Sequence, residues 1–266
     1  MLFKIARISY DPVVAYASEE LKRCLKKMDP SLEILLLTYP RVRADVKNAV
    51  WLGMDPALAG NLPAVEDPAL DDAIAIDVQG RTGYITGANP RAVLIAAFRY
   101  LRELGASWDR PKDGEILPRR DVLQASVQVK EAPSCRHRGV CIEGANSLQN
   151  VTDMIDWLPR VGMNAYFNQF QIPATFYERW YEPYLKRTEP DQKLELPDIE
   201  GMRDATVAEI KKRGLLYHAA GHGWTCEPFG IAGTGWDAKR THYVPEKSSS
   251  TWPWSTGSGN SGAISP

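Results

Sequence analysis

From Cys135 to His222 the chain repeats one rhythm: a short apolar run, a cluster of polar or aromatic residues, then an amphipathic segment. The apolar runs lie in RHRGVCIEG, MNAYFNQFQIP and GLLYHAAGH. Between them, Val151–Val161 carries Met154, Ile155, Leu158 and Val161 on one side, and Gly201–Arg213 carries Val207 and Ile210 against a polar back. Strands that alternate with helices predict parallel pairing and right-handed crossovers. Parallel pairing gathers the C-terminal strand ends on one face, the face where a βα barrel carries its site. Glu143 and Asn146 follow the first run, Asn168 and Gln169 end the second, and His218 and His222 end the third. Glycines on both sides of His222 let backbone and ligand approach closely.

The first half has a different order. Leu2–Ile8 alternates as a strand, and Asp11–Met28 follows with Val14, Ala17, Leu21, Cys24 and Leu25 at helical spacing. Strands are expected at Leu32–Leu37, Ala49–Gly53, Ala73–Val78 and Thr82–Ile85, the last two joined by a hairpin turning at Gly80–Arg81. Asn89-Pro90 opens a second helix over Pro90–Leu104, with Val93, Ala96, Ala97, Tyr100 and Leu101 as its stripe. This order predicts a mixed sheet with two helices on one face. Turn formers over Ser107–Pro118 lead into an alternating run, Val122–Val129, where the division falls. The expected organisation is an N-terminal α/β domain over 1–125, the first βα units of a barrel over 126–245, and an irregular tail over 246–266. The fold class is α/β: a mixed-sheet domain followed by an incomplete (β/α)8 barrel.

Charge and length exclude several classes of partner. The formal net charge is −1 and the Lys and Arg residues are scattered, so nothing forms a basic stripe for nucleic acid. No apolar run approaches the ~20 residues that span a bilayer. The four cysteines show no paired spacing, which fits a reducing cytoplasm, with a mature secreted form as the alternative. No Gly-rich phosphate loop follows a strand, and no organic cofactor or metal is expected. His218 and His222 would share a face only on a helix, and AAGHG breaks a helix.

RGVCIEG, GMNAYFNQF and GHGWTCEPFG, preceded by ANPRAVLIAAFRYLRELGASW, resemble bacterial glycoside hydrolases of the β-N-acetylhexosaminidase and α-glucuronidase kind. The resemblance spans roughly Leu2 to Val244. It implies an N-terminal α/β domain, a (β/α)8 barrel that cleaves sugars, and an oligosaccharide or glycoside as partner. It implies that Arg138 hydrogen-bonds sugar hydroxyls, that Glu143 stands where the family has aspartate, and that Asn164 matches the asparagine of the second strand. His222 would line the pocket and Trp224 would offer a platform for a pyranose face. The same view brings Arg138, Asn168 and His222 around a common hollow. Arg138 has a second reading, an ion pair with Glu143 or another carboxylate at the sheet end. Trp180, Tyr181 and Tyr184 can stack on a sugar or pack on one another. Asp153 and Asp156 read as solvated or capping groups of a helix. Glu227 is too early in the order to be the family's acid, and the catalytic carboxylates are expected from strands after the third, so none is assigned here.

Two further function classes fit the same residues: a non-catalytic carbohydrate-binding or interaction module, and a metal-dependent barrel hydrolase using the histidines. A partial parallel sheet leaves an open edge and an uncovered apolar face, which predicts a second half that is marginally stable or depends on dimer contacts in a homo-oligomer. After Pro245 the chain loses periodicity and fills with Ser and Gly. A reading frame that starts each codon at the third base of the preceding one encodes a mixed apolar and polar run from Lys247 on; Pro253 after a Trp codon is then forced to Ala. Two readings stand, a flexible tail and a loss of frame near Glu246, and the nucleotide sequence decides between them.

Overall fold

A computed structural model describes residues 1–142, 147–168, 186–188 and 196–219. The first strand, β1 (Leu2–Ile8), turns Phe3 and Ile5 to one face and Ala6 and Ile8 to the other, and all four are buried. Helix α1 (Pro12–Met28) follows because Asp11 caps it: the carboxylate accepts the Val13 N–H at 2.8 Å, and Pro12 occupies the first turn, where no donor is missed. The predicted stripe of Val14, Ala17, Leu21, Cys24 and Leu25 is fully buried.

Strands β2 (Glu33–Tyr39), β3 (Ala49–Gly53), β4 (Ile74–Gln79) and β5 (Thr82–Gly87) come next, with a short helix α2 (Pro56–Ala59) between β3 and β4. Sequence reading passes over α2, although Asp55-Pro56 is a cap followed by a first-turn proline. Helix α3 (Pro90–Glu103) is capped by Asn89, whose side chain accepts the Ala92 N–H at 2.8 Å. It lies beside α1 on one face of the sheet, and the apolar faces of both make the main core. The opposite face carries a smaller cluster of Ala6, Ile8, Ala49, Trp51 and Leu58.

The short strands β6 (Ser107–Trp108) and β7 (Glu115–Ile116) pair with each other, and β8 (Ser126–Glu131) follows a 3-10 turn at Val122–Gln124. The six-stranded order is β2-β1-β3-β5-β4-β8, parallel from β2 to β5 and antiparallel at β5–β4 and β4–β8. Because β8 pairs with β4 along its whole length, the first sheet runs on to Glu131, beyond the expected division at 125/126.

The second sheet is three-stranded and parallel, in the order β11-β10-β9, from β9 (Gly139–Ile142), β10 (Ala165–Asn168) and β11 (Leu216–Ala219). Helix α4 (Leu148–Trp157), extended by a 3-10 turn at Leu158–Val161, separates β9 from β10, and α5 (Leu196–Lys212) precedes β11. Val151, Ile155, Leu158 and Ile210 bury against Tyr166 and Leu215. Sequential parallel strands with helices between them are the unit from which a βα barrel is built. No helix among the described residues is long and apolar enough to cross a membrane.

Candidate functional site

The C-terminal ends of the second sheet come together at one level: Asn168 of β10 stands opposite Ile142 of β9 and Ala219 of β11. Alternation along the strands sorts the side chains. Val140, Ile142, Tyr166 and Tyr217 face the helices, which leaves Cys141, Phe167 and His218 to the other face. There the His218 ring lies 6.4 Å from Phe167 and 5.0 Å, edge to face, from His137. Burial lowers the His218 pKa, and the neighbouring His137 adds to the effect, so both favour the neutral imidazole. Its Nε2 is buried with no hydrogen-bond partner among the described residues.

Asn168 lies on the same face as Tyr166, is 2% exposed, and hydrogen-bonds the Tyr217 hydroxyl. Its amide therefore serves the helix side of the sheet, and its Oδ1 is buried without a partner among the described residues. Glu143, Asn146, Gln169, Trp180, Tyr181, Tyr184, His222, Trp224, Cys226, Glu227 and the tail over 246–266 lie outside the described residues. Among the described residues no group of three His, Cys, Asp or Glu is placed to hold a metal.

Arg138 is at the opposite end of the sheet. It precedes β9, and its backbone N–H donates to the Asn164 side chain at 2.8 Å, beside the start of β10. At ~3.3 Å per residue, four residues separate its level from that of Asn168 by about 13 Å. The expected common hollow shared by Arg138 and Asn168 is thus corrected. A residue before a parallel strand and a residue at its end sit on opposite edges of the sheet.

What surrounds Arg138 is a polar joint centred on Asp72, just before β4. Arg138 donates to the Asp72 carboxylate at 2.8 Å, Arg91 at 2.9 Å, Asn164 at 2.7 Å and Asn89 at 3.2 Å. Arg138 also donates to the carbonyls of Gly162 and Cys135, and Arg91 reaches the carbonyl of Gly214, just before β11. Burial alone would raise the Asp72 pKa. The Arg91 charge and the hydrogen bonds from Arg91, Arg138 and Asn164 outweigh it and hold the carboxyl below its ordinary value. One carboxylate thus ties the starts of β9, β10 and β11 to the first sheet, and the ion-pair reading of Arg138 finds its partner in Asp72. Next to it, Arg136 pairs with Asp71 at 2.7 Å.

A second joint lies along α4. Asp156 accepts from Tyr16 at 3.0 Å, from Arg160 at 2.8 Å and from Arg213. It is partly exposed, but with three partners it does more than the solvated or capping group that the sequence suggests. Arg160 continues to Glu20 at 3.0 Å and lies over the Phe98 ring at 5.0 Å, and Arg213 pairs with Glu209. Asp153 accepts the Gln149 amide within its own helix. A groove of about 550 Å³ runs between α4 and α5, lined by Thr152, Asp153, Asp156, Glu209 and Arg213 among others. Sequence reading misses Asp72 because LDDAIAI looks like an exposed turn before a strand.

No family model and no curated protein match the chain. Solved structures do. A family GH115 4-O-methyl-α-glucuronidase with specificity for decorated arabinogalactans aligns with a TM-score of 0.50 at 14% identity, over 83% of this chain and 29% of that one. A GH138 enzyme targeting pectin rhamnogalacturonan II aligns at 0.47 and 13% identity, over 82% of this chain and 24% of that one. The chitobiase of Flavobacterium johnsoniae, a GH20 protein, aligns at 0.47 and 13%, over 82% and 30%. The chain therefore spans less than a third of the length of these structures. At this identity the likeness to the GH115 protein bears on fold alone. The fold is α/β: a mixed-sheet domain followed by opening strands of a βα barrel.

Proposed function

We propose that the chain is a glycoside-hydrolase-like protein that acts on or binds an oligosaccharide or glycoside. The observation that carries this is the parallel β9-β10-β11 array, joined in chain order behind an α/β domain. His222 and Trp224, three and five residues past the end of β11, and Glu143, the residue after β9, are the sugar contacts. Trp224 offers an apolar ring to a pyranose face, and His222 offers a nitrogen to a hydroxyl. Asn168 supports Tyr217 at the strand ends, and Arg138 holds the strand starts through Asp72. Most glycoside hydrolases place two carboxylates across the scissile bond. This reading takes them from strands following the third and assigns none here.

Isothermal titration of the purified chain with neutral and uronic-acid-bearing oligosaccharides tests the reading. Binding is expected, and Trp224→Ala should weaken it about tenfold, the scale of one stacking contact. Arg138→Ala should lower stability while leaving the affinity of the folded fraction within about twofold. Release of the aryl group from aryl glycosides separates an enzyme from a binding module. Absence of binding across the panel, or binding indifferent to both His222→Ala and Trp224→Ala, sinks the proposal.

A further inference from the structure

His218 is the histidine that the sugar contacts named above leave unused. It stands on β11 one residue before the end of the strand. The register sets Cys141, Phe167 and His218 level with one another across the second sheet. This row faces away from the helices, toward the side that forms the interior of a βα barrel. The face is open at this level: Cys141 and His137 are exposed, and Phe167 and His218 are partly exposed. Among the described residues, two orphan polar atoms lie in the second sheet, Asn168 Oδ1 and His218 Nε2. The first serves the helix side, and the second is on the barrel side. A buried imidazole nitrogen without a partner carries a desolvation cost that a hydrogen bond would remove.

We propose that His218 forms the floor of the sugar site and that its Nε2 takes a neutral sugar hydroxyl as hydrogen-bond partner. This rests on the glycoside reading given above. A neutral imidazole carries an N–H on one nitrogen and a lone pair on the other, and a hydroxyl answers either, because it both donates and accepts. A sugar carboxylate answers only an N–H and is matched best by an imidazolium. Burial and His137 both disfavour the imidazolium of His218, and no Asp or Glu among the described residues acts against them. The Phe167 ring, 6.4 Å from that of His218, offers an apolar surface to the C–H face of the same sugar. His137, whose ring lies 5.0 Å from that of His218, is exposed, so it can turn aside and admit the hydroxyl.

Isothermal titration of the full chain with neutral oligosaccharides, joined to nitrogen NMR of its labelled histidines, tests this. His218→Phe keeps a ring against Phe167 and His137 and removes both nitrogens. It should fold and lose affinity about two- to tenfold, the range of one neutral hydrogen bond. His218→Gln, whose amide reaches the place of Nε2, should stay within about twofold of wild type. In the wild type the Nε2 resonance should shift on saturation and remain that of a neutral imidazole. Unchanged affinity in His218→Phe, with Trp224→Ala still weakening binding, overturns this inference and leaves the glycoside reading standing. A resonance that does not move on saturation overturns it too. So does one that becomes an imidazolium, because the partner is then a carboxylate. The NMR arms use the wild type, so the test holds if His218→Phe does not fold. Absence of binding to every oligosaccharide sinks the glycoside reading itself and this inference with it.

Discussion

Asp72→Ala is expected to lower the unfolding free energy by about 3–5 kcal/mol, the range found when one partner of a buried ion pair is removed. The side chain of Asp72 is wholly buried, and Arg91 is only 6% exposed. Alanine would leave the Arg91 guanidinium without its counter-charge and would free Asn164 and Arg138 from the carboxylate that aligns them. The loss should show in urea unfolding. Amide exchange should quicken most at β9 and β10, whose starts Arg138 and Asn164 hold. The effect also has a pH signature. The folded Asp72 carboxyl titrates below its unfolded value of about 3.9. Its contribution is therefore fully present above about pH 4 and is lost as pH falls through the lower folded pKa. The gap between wild type and Asp72→Ala should be constant near neutrality and should close on acidification. A gap that widens in acid, or a variant as stable as wild type at pH 7, contradicts the role given to this carboxylate.

The joint at Asp72 also shows where sequence reading stops. Helices α1 and α3 are legible because their apolar stripes recur every three or four residues and because Asp11-Pro12 and Asn89-Pro90 announce their starts. The hairpin of β4 and β5 is legible for the same local reason. Asp72 is not, because its partners lie 17, 19, 66 and 92 residues away in Asn89, Arg91, Arg138 and Asn164. Nothing in a window around it signals burial. The parallel direction of β9, β10 and β11 followed from alternation with helices, but the level of each side chain along the strand did not enter that argument. Counting residues from the strand starts would have put Arg138 at the N-terminal edge. Counting by twos from Tyr166 would have turned Asn168 toward the helices. The period of the strand carried both facts; the family likeness alone pulled Arg138 toward the sugar.

Gly83→Ala is expected to cost more than about 3 kcal/mol, the combined scale of backbone strain and a forced overlap in packed surroundings. Gly83 has φ +138, a region that side-chain-bearing residues rarely adopt, and it sits in β5 between Val78 of β4 and Val50 of β3. A Cβ there would lie 1.9 Å from the Asp77 carbonyl oxygen and 2.8 Å from the Val78 Cα. Both are backbone atoms of a paired strand, so no side chain can swing aside. Relief would require β4 to separate from β5, and β8 would lose its place because among the described residues it pairs only with β4. The damage should therefore reach the Asp72 joint, since Asp72 leads directly into β4. Gly201→Ala is the matched control. Gly201 lies within α5, and nothing stands within 4 Å of its would-be Cβ. Alanine there should stabilise by about 1 kcal/mol through helix propensity alone. Opposite signs for the two substitutions in thermal and urea unfolding would place the constraint in strand geometry; a Gly83→Ala protein within about 1 kcal/mol of wild type would falsify the close approach of β4 and β5 and the continuity of the first sheet through β8.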